Sequence, residues 1–240
     1  MCRSLTFLLT FLLACLLSGC QSTPQANSRY LPAELCYLDT VAPTIRVDLM
    51  YAGHDNFVGR PLEGYRGRRA ILRRDAAAAL ARAADILAQE GLGLLVHDAY
   101  RPAPAMEDFY RWSCTPDDKM KARYYPRITK RGIYEGRYIG RTSEHSWGIA
   151  VDISLISLST GQELDMGGHV DLLDPSSATE YPGLTPLQRA NRLKLRDTMA
   201  AVGMKNYSKE WWHYYVSPCG ICHIYSFPVE DDLMQHPEGR

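Results

Sequence analysis

Apolar and polar positions follow two rhythms along this chain, and each rhythm predicts elements. Residues 44–51 (TIRVDLMY) alternate with a period of two, the mark of a strand with one buried face. Residues 71–91 (ILRRDAAAALARAADILAQEG) are rich in alanine and leucine, carry Asp75 near their start and stop at Gly91, which predicts a helix. Residues 92–100 (LGLLVHDAY) form an apolar run, read as a buried strand that ends at Arg101-Pro102. A helix is expected over 103–112, and 117–142, basic, tyrosine-rich and punctuated by glycine, reads as an ordered excursion. Residues 143–155 (SEHSWGIAVDISL) give the next strand. The best-signposted helix is 185–203: Thr185 and Gln188 make a capping box, Pro186 sits in the first turn, and Gly203 closes it. Residues 210–216 (EWWHYYV) and 221–227 (ICHIYSF) predict a hairpin around Ser217-Pro218-Cys219-Gly220. Strands and helices mix without regular alternation, so the class is α+β.

The first residues follow neither rhythm. MCRSLTFLLTFLLACLLSGCQ places Arg3 before an apolar run from Leu5 to Leu17, then Ser18, Gly19 and Cys20. That run is too short to span a bilayer comfortably and suits the core of a signal peptide. Leu17-Ser18-Gly19-Cys20 resembles the lipobox of bacterial lipoproteins, which implies cleavage before Cys20 and its acylation. Leu13-Ala14-Cys15 is a rival site that would leave a shorter apolar core. Residues 21–28 (QSTPQANS) are polar and free of aromatics, as a flexible tether would be. The expected organisation is a signal peptide over 1–19, a lipidated tether over 20–30 and one domain over 31–240. The protein is expected at the periplasmic side of the cell envelope, held to a membrane by lipid; Gln21 after the cysteine favours the outer membrane.

Composition changes the picture in two ways. The 27 basic residues balance the 27 acidic ones, so nothing points to nucleic acid or another polyanion as a partner. Export makes disulfides possible, and Cys36, Cys114, Cys219 and Cys222 remain after Cys20, with three pairings open.

The chemistry starts from an anomaly. Asp152 interrupts the apolar run Ile149, Ala150, Val151, Ile153, Leu155, and a buried carboxylate without a partner is costly. Either that strand is half exposed or a cation meets the acid. His145 stands seven residues earlier. Downstream, Glu210 precedes His213 by three residues, so in a regular strand the two would face opposite sides. They can meet only if the strand starts after a turn, with Glu210 at its lip. A zinc site needs three protein ligands of this type, an open position, and a nearby carboxylate that does not bind the metal. His145, Asp152 and His213 supply the ligands and Glu210 the base.

Ser143-x-His145-x-x-Gly148-x-Ala150-x-Asp152 together with Glu210-x-Trp212-His213 resembles the paired motif of zinc D-Ala-D-Ala peptidases. Tyr51-Ala52, Asp55 to Pro61, Gly64-Tyr65, Asp98-Ala99-Tyr100-Arg101-Pro102, Asp165-Met166-Gly167 and Tyr207 to Tyr214 narrow the resemblance to the D-alanyl-D-alanine dipeptidases of the vancomycin-resistance type. It covers roughly residues 40–216. The resemblance implies a central, mainly antiparallel sheet flanked by helices and one Zn2+ held by His145, Asp152 and His213. It makes Glu210 the general base, Arg101 the stabiliser of the transition state, Asp171 the receiver of the substrate's ammonium and Ser143 a hydrogen-bonding partner of the substrate. The substrate it implies is a small D,D-dipeptide, bound at both charged ends in a small closed pocket. Asp98 is a candidate to orient Arg101, and Tyr100, Tyr214 and Tyr215 either line the site or pack in the core.

Three other readings compete. Cys219-Gly220-Ile221-Cys222-His223 matches the c-type haem attachment pattern, against which stands the hairpin expected beside the zinc motif. A D,D-carboxypeptidase or endopeptidase acting on peptidoglycan stem peptides would use the same zinc centre with an open groove. A wall-binding lipoprotein without activity would keep the fold but not need all four metal and base residues.

Overall fold

A computed structural model describes residues 29–136, 138–140, 142–217 and 223–237. The leader, Cys20 with its expected lipid, and the cysteines of the haem-like pattern lie outside the described residues. Cys36 is buried and Cys114 exposed, and both are free thiols.

The elements in chain order are β1 (Leu35–Tyr37), β2 (Arg46–Val47), β3 (Ile71–Arg73), α1 (Arg74–Ala88), β4 (Leu92–Asp98), α2 (Ala103–Ser113), α3 (Lys121–Tyr124), α4 (Lys130–Glu135), β5 (Ala150–Ser157), α5 (Pro186–Ala201), β6 (Met204–Asn206) and β7 (His213–Val216). Strands β2-β4-β5-β7-β6 form the main sheet, antiparallel except for the β2–β4 pair, and β1 and β3 form a small second sheet. This is the α+β, mainly antiparallel architecture expected. Helix α1 buries Ala76, Ala77, Ala79, Leu80, Ala83, Ala84 and Leu87 on one stripe. Its alanines let the helix sit close to β4 and α5, where larger side chains would hold it away. Helix α5 opens with both halves of the Thr185–Gln188 capping box.

The sheet gives Asp152 its direction. Val151, Ile153 and Leu155 belong to the hydrophobic core, so the alternate residues Ala150, Asp152 and Ser154 share the opposite face. On β7 Tyr214 and Val216 join the core, which leaves His213 and Tyr215 on the face of Asp152. Between Val96 and Asp98 strand β4 slips by one residue against β5, a bulge that sets Asp98 directly opposite Asp152.

Four expectations change. The strand foreseen over 44–51 shortens to Arg46–Val47, followed by a helical turn at Met50–Ala52. Residues 71–73 pair with β1 as a strand before α1 begins. The 143–155 stretch opens as a helical turn, Glu144–Trp147, ahead of β5. No hairpin joins 210–216 to the described residues 223–227, because both edges of β7 are already taken by β5 and β6. Residues 225–234 instead run as a strap. The Tyr225 N–H donates to Ser146 O, Ala103 N–H donates to Tyr225 O, and the Val229 N–H reaches Gly64 O. The Tyr100 hydroxyl donates to Phe227 O at 2.8 Å.

Candidate metal centre and active site

The turn Glu144–Trp147 places the first ligand. Ser143 caps it, its Oγ accepting from the His145 N–H at 3.2 Å, and Gly148 ends it at φ 68°. A Cβ at Gly148 would also come within 2.9 Å of Leu35 Cδ2, so both conformation and space call for glycine. The buried His145 ring sets its Nδ1 2.7 Å from Ala99 O, where it must donate, and this leaves the Nε2 lone pair facing the site.

Asp152 and His213 are cross-strand partners on β5 and β7. His145 Nε2 lies 3.2 Å from His213 Nδ1, His213 Nδ1 3.1 Å from Asp152 Oδ1, and His145 Nε2 3.3 Å from Asp152 Oδ2. A tetrahedral ion held by nitrogen and oxygen at about 2.0–2.1 Å requires donors about 3.3 Å apart. The two histidine nitrogens lie at that spacing from each other and each from one Asp152 oxygen, Oδ1 for His213 and Oδ2 for His145, and among the described residues this is the group of histidines and carboxylates close enough to hold an ion. The donor set fits zinc. Burial pushes the Asp152 carboxyl up, but His145 and His213 more than offset it and hold it well below the usual carboxylate range.

Glu210 sits where the sequence required it, in a turn before β7. Its N–H bonds to Tyr207 O, and Asn206 Nδ2 donates to both Glu210 O and His213 O at 3.0 Å, pinning the lip of the strand. Its side chain is buried without a hydrogen-bond partner among the described residues. Burial first, then the charges of Asp152 and Asp171, push its carboxyl well above the usual range.

Arg101 follows β4 and is 7% exposed. Asp98 accepts from its Nε at 2.9 Å and from Nη2 at 2.8 Å, while Asp152 Oδ2 lies 3.4 Å from the same Nη2. Two carboxylates placed opposite each other by the bulge would repel. The guanidinium between them removes that conflict and is itself fixed, with Nη1 3.9 Å from Met106 Sδ. Asp98 thus does orient Arg101, and Tyr65, to which sequence reasoning gave no role, donates to Asp98 at 2.6 Å.

A cavity of about 470 Å3 is lined by Arg101, Tyr138, Ser143, His145, Glu210 and His213. It is roomier than the small closed pocket expected. Tyr215 lines it, whereas Tyr100 and Tyr214 belong to the core; Tyr215 was findable, being two residues beyond His213 on the same face. Asp171 is not on this cavity's wall. It lies in the loop between β5 and α5, 5% exposed, at φ 62°, and Tyr51 donates to its Oδ2 at 2.5 Å. Burial, then the charge of Asp152, raise its carboxyl to about 7. Tyr51 had no assigned role in the sequence; its ring also lies 5.0 Å from the Arg101 guanidinium.

The family model for D-Ala-D-Ala dipeptidases matches residues 32–230. A D-alanyl-D-alanine dipeptidase of Streptomyces coelicolor is 40% identical over 77% of this chain and 92% of its own length. One of Enterococcus faecium is 36% identical over 81% and 97%, and one of Escherichia coli 34% identical over 75% and 83%. Among solved structures, an LD-carboxypeptidase superposes with a TM-score of 0.44 at 20% identity, covering 78% of this chain and 69% of that one.

Proposed function

The chain belongs to the D-Ala-D-Ala dipeptidase family, and on that premise we propose that it hydrolyses D-Ala-D-Ala to free D-alanine at a zinc centre held by His145, Asp152 and His213. The observation that carries this reading is the convergence of His145, Asp152 and His213, with contacts of 3.1, 3.2 and 3.3 Å, beside a buried Glu210 whose carboxylate has no hydrogen-bond partner among the described residues.

Zinc, when bound, supplies Lewis acidity and the activation of water at neutral pH. The protein does the rest. Glu210 takes a proton from the attacking water on its carboxylate oxygen and returns it to the leaving amine. A positioned base of this kind contributes about 10²–10⁴-fold. Arg101 meets the negative charge that develops on the carbonyl oxygen. Because Asp98 holds the guanidinium beforehand, little reorganisation is needed, and one such donor is worth about 3 kcal/mol. Asp171 takes the substrate's ammonium, with Tyr51 fixing its carboxylate. Ser143 accepts from its own turn and so keeps its O–H free to donate to the substrate.

The lipid anchor on Cys20 and an envelope location, the outer membrane favoured, are part of the same proposal. They are supported by the apolar leader ending Leu17-Ser18-Gly19-Cys20 and by the polar segment after it. The intact mass of the purified protein's N-terminus checks this directly: a free amino group on any residue other than Cys20 rules it out.

The test of the activity is zinc content measured alongside D-alanine released from D-Ala-D-Ala and from a pentapeptide ending in D-Ala-D-Ala. Dipeptide turnover well above that of the pentapeptide supports the dipeptidase. The reverse ranking supports the carboxypeptidase reading, and a zinc-loaded protein releasing D-alanine from neither leaves only a wall-binding protein.

A further inference from the structure

Arg192 on α5 is 0% exposed, and among the described residues no carboxylate bonds to it. Its hydrogen bonds go to main-chain carbonyls. Nε donates to Met166 O at 2.6 Å, and Nη1 donates to Ser176 O at 2.9 Å and to Ala178 O at 2.7 Å. Nη2 is buried with no partner among the described residues. Burial pushes the guanidinium down to about 10, so it remains a cation at neutral pH. A buried charge without a bonded counter-charge is a costly way to fill space, and an apolar side chain of similar volume would pack there more easily. The fork of donors, rather than bulk, accounts for an arginine here.

What the fork joins is specific. Met166 precedes Asp171 in the chain, and Ser176 and Ala178 follow it, so one planar group ties together both stems of the loop that carries Asp171. Asp171 sits at φ 62°, a left-handed conformation that a non-glycine residue keeps only where its surroundings impose it. The bond from Tyr51 fixes the carboxylate but not the backbone beneath it. Helix α5 is a firm base for the stems, since it packs on α1, β5 and β6. Gln188 and Asn191 on the same helix hold the start of the loop as well, donating to Asp165 Oδ2 at 3.0 Å and to Asp165 O at 2.8 Å.

We propose that Arg192 is a positioning residue for substrate affinity: by fixing both stems it sets where the Asp171 carboxylate meets the substrate's ammonium, and it rests on the role given to Asp171 above. Arg192 is not on the wall of the catalytic cavity and acts only through the loop. Misplacing a binding group by about 1 Å can lose up to about 10²-fold. Lysine, a point charge on a flexible stem, cannot span both stems as the rigid fork does.

The experiment measures kcat and KM for D-Ala-D-Ala and for N-propionyl-D-alanine, the same molecule without its amino group. The proteins are zinc-loaded wild type, Arg192→Lys, Arg192→Met, Asp171→Asn, and Asp171→Asn combined with Arg192→Lys. Wild type should prefer the free dipeptide by about 30-fold or more in kcat/KM. Arg192→Lys should raise KM for D-Ala-D-Ala by about tenfold, change kcat by less than about threefold and leave N-propionyl-D-alanine unaffected. Arg192→Met should raise that KM at least as much. In the Asp171→Asn background, Arg192→Lys should add nothing further to KM. Equal losses on both substrates, the mark of a merely structural role, overturn the proposal, and so do effects that multiply in the double variant. A fall in kcat alone also overturns it and ties Arg192 instead to Glu210 through Trp211, whose ring centroid lies 5.7 Å from the guanidinium. If circular dichroism shows that neither Arg192 variant folds, Arg192 serves the whole fold and the proposal fails. A wild type indifferent to the missing amino group overturns the role of Asp171 and this inference with it. Failure to cleave D-Ala-D-Ala at all is a different result, and it overturns the dipeptidase reading itself.

Discussion

The main sheet and the loop between β5 and α5 each bury an aspartate, and the two acids are driven in opposite directions. Asp152 on β5 is 2% exposed and Asp171 on the loop 5% exposed, so burial penalises both charges alike. Asp152 lies against His145 and His213 and is held well below the usual carboxylate range. Asp171 has one neutral donor, Tyr51, feels the negative charge of Asp152, and is raised to about 7. What decides the sign is the company each acid keeps rather than its depth. The sheet builds a site for a cation that stays. On the proposed mechanism, the loop builds one for a cation that comes and goes, the substrate's ammonium.

The hardest test of this contrast is to remove groups on the sheet side. His213→Ala takes away one vertex of the donor triangle and should leave purified protein with little zinc and no measurable turnover. Glu210→Ala leaves the triangle intact, so metal analysis should still find about one zinc per chain while kcat falls by about 10³-fold. Full activity in a Glu210→Ala protein with normal metal content would remove Glu210 from the mechanism.

The loop side should respond in another way. Asp171→Asn keeps shape and the bond from Tyr51 but cannot pair with an ammonium. A charge-assisted contact of this kind is worth about 2–3 kcal/mol, so KM should rise by about 30- to 100-fold. Zinc content should be unchanged and kcat affected much less. A fall in kcat with KM unaltered would place Asp171 outside the substrate site.

Much of the sheet side could be read from the chain and little of the loop side could. An acid in an apolar run and a Glu-x-x-His that only a turn can reconcile are local contradictions, and local contradictions are visible in one dimension. The turn before His213 resolves the second as expected. The resemblance brought Arg101 and Asp171, and the chain offered Asp98 to orient Arg101 but no partner for Asp171. The bulge that sets Asp98 beside Asp152 depends on pairing with β5. The bond from Tyr51 to Asp171 spans 120 residues. The strand-like pattern of 221–227 is satisfied at Tyr225 and Phe227 by Ser146, Ala103 and Tyr100, partners that only the folded chain brings near.

The pH profile sharpens the comparison further. In the free enzyme Asp171 is raised to about 7, so below that pH it is protonated and neutral and cannot attract an ammonium. In the wild type kcat/KM should therefore fall as pH drops through about 7, mostly through KM, because kcat/KM reports groups of the free enzyme. Asp171→Asn, already neutral, should lose that dependence of KM at its elevated value. A KM limb that persists unchanged in the variant would assign the titration to another group.

The smallest effect concerns how the loop is held. Asp174, 1% exposed, starts the turn Pro175–Ser177 by accepting from Ser176 N–H at 2.9 Å, and the half-exposed Arg127 binds it through Nε at 2.5 Å and through Nη2. The hydrogen bonds from Arg127 chiefly lower its carboxyl to about 2, against the opposing push of burial. A folded-state value below the unfolded one, about 3.9, means the native protein binds fewer protons between the two. The stabilisation is therefore complete above about pH 4 and is lost as pH falls from there towards 2. Because Arg127 is solvent-exposed, the pair contributes only weakly, and its loss should lower Tm by no more than about 2–4 °C for a chain of this size. Arg127→Ala should melt lower than wild type by that margin at pH 7, and the gap should close as both are taken below pH 4. If instead the loop is held only by its bonds to the rest of the fold, such as Leu173 N–H to Tyr124 O and Trp211 N–H to Ser177 O, the two proteins will melt together at every pH.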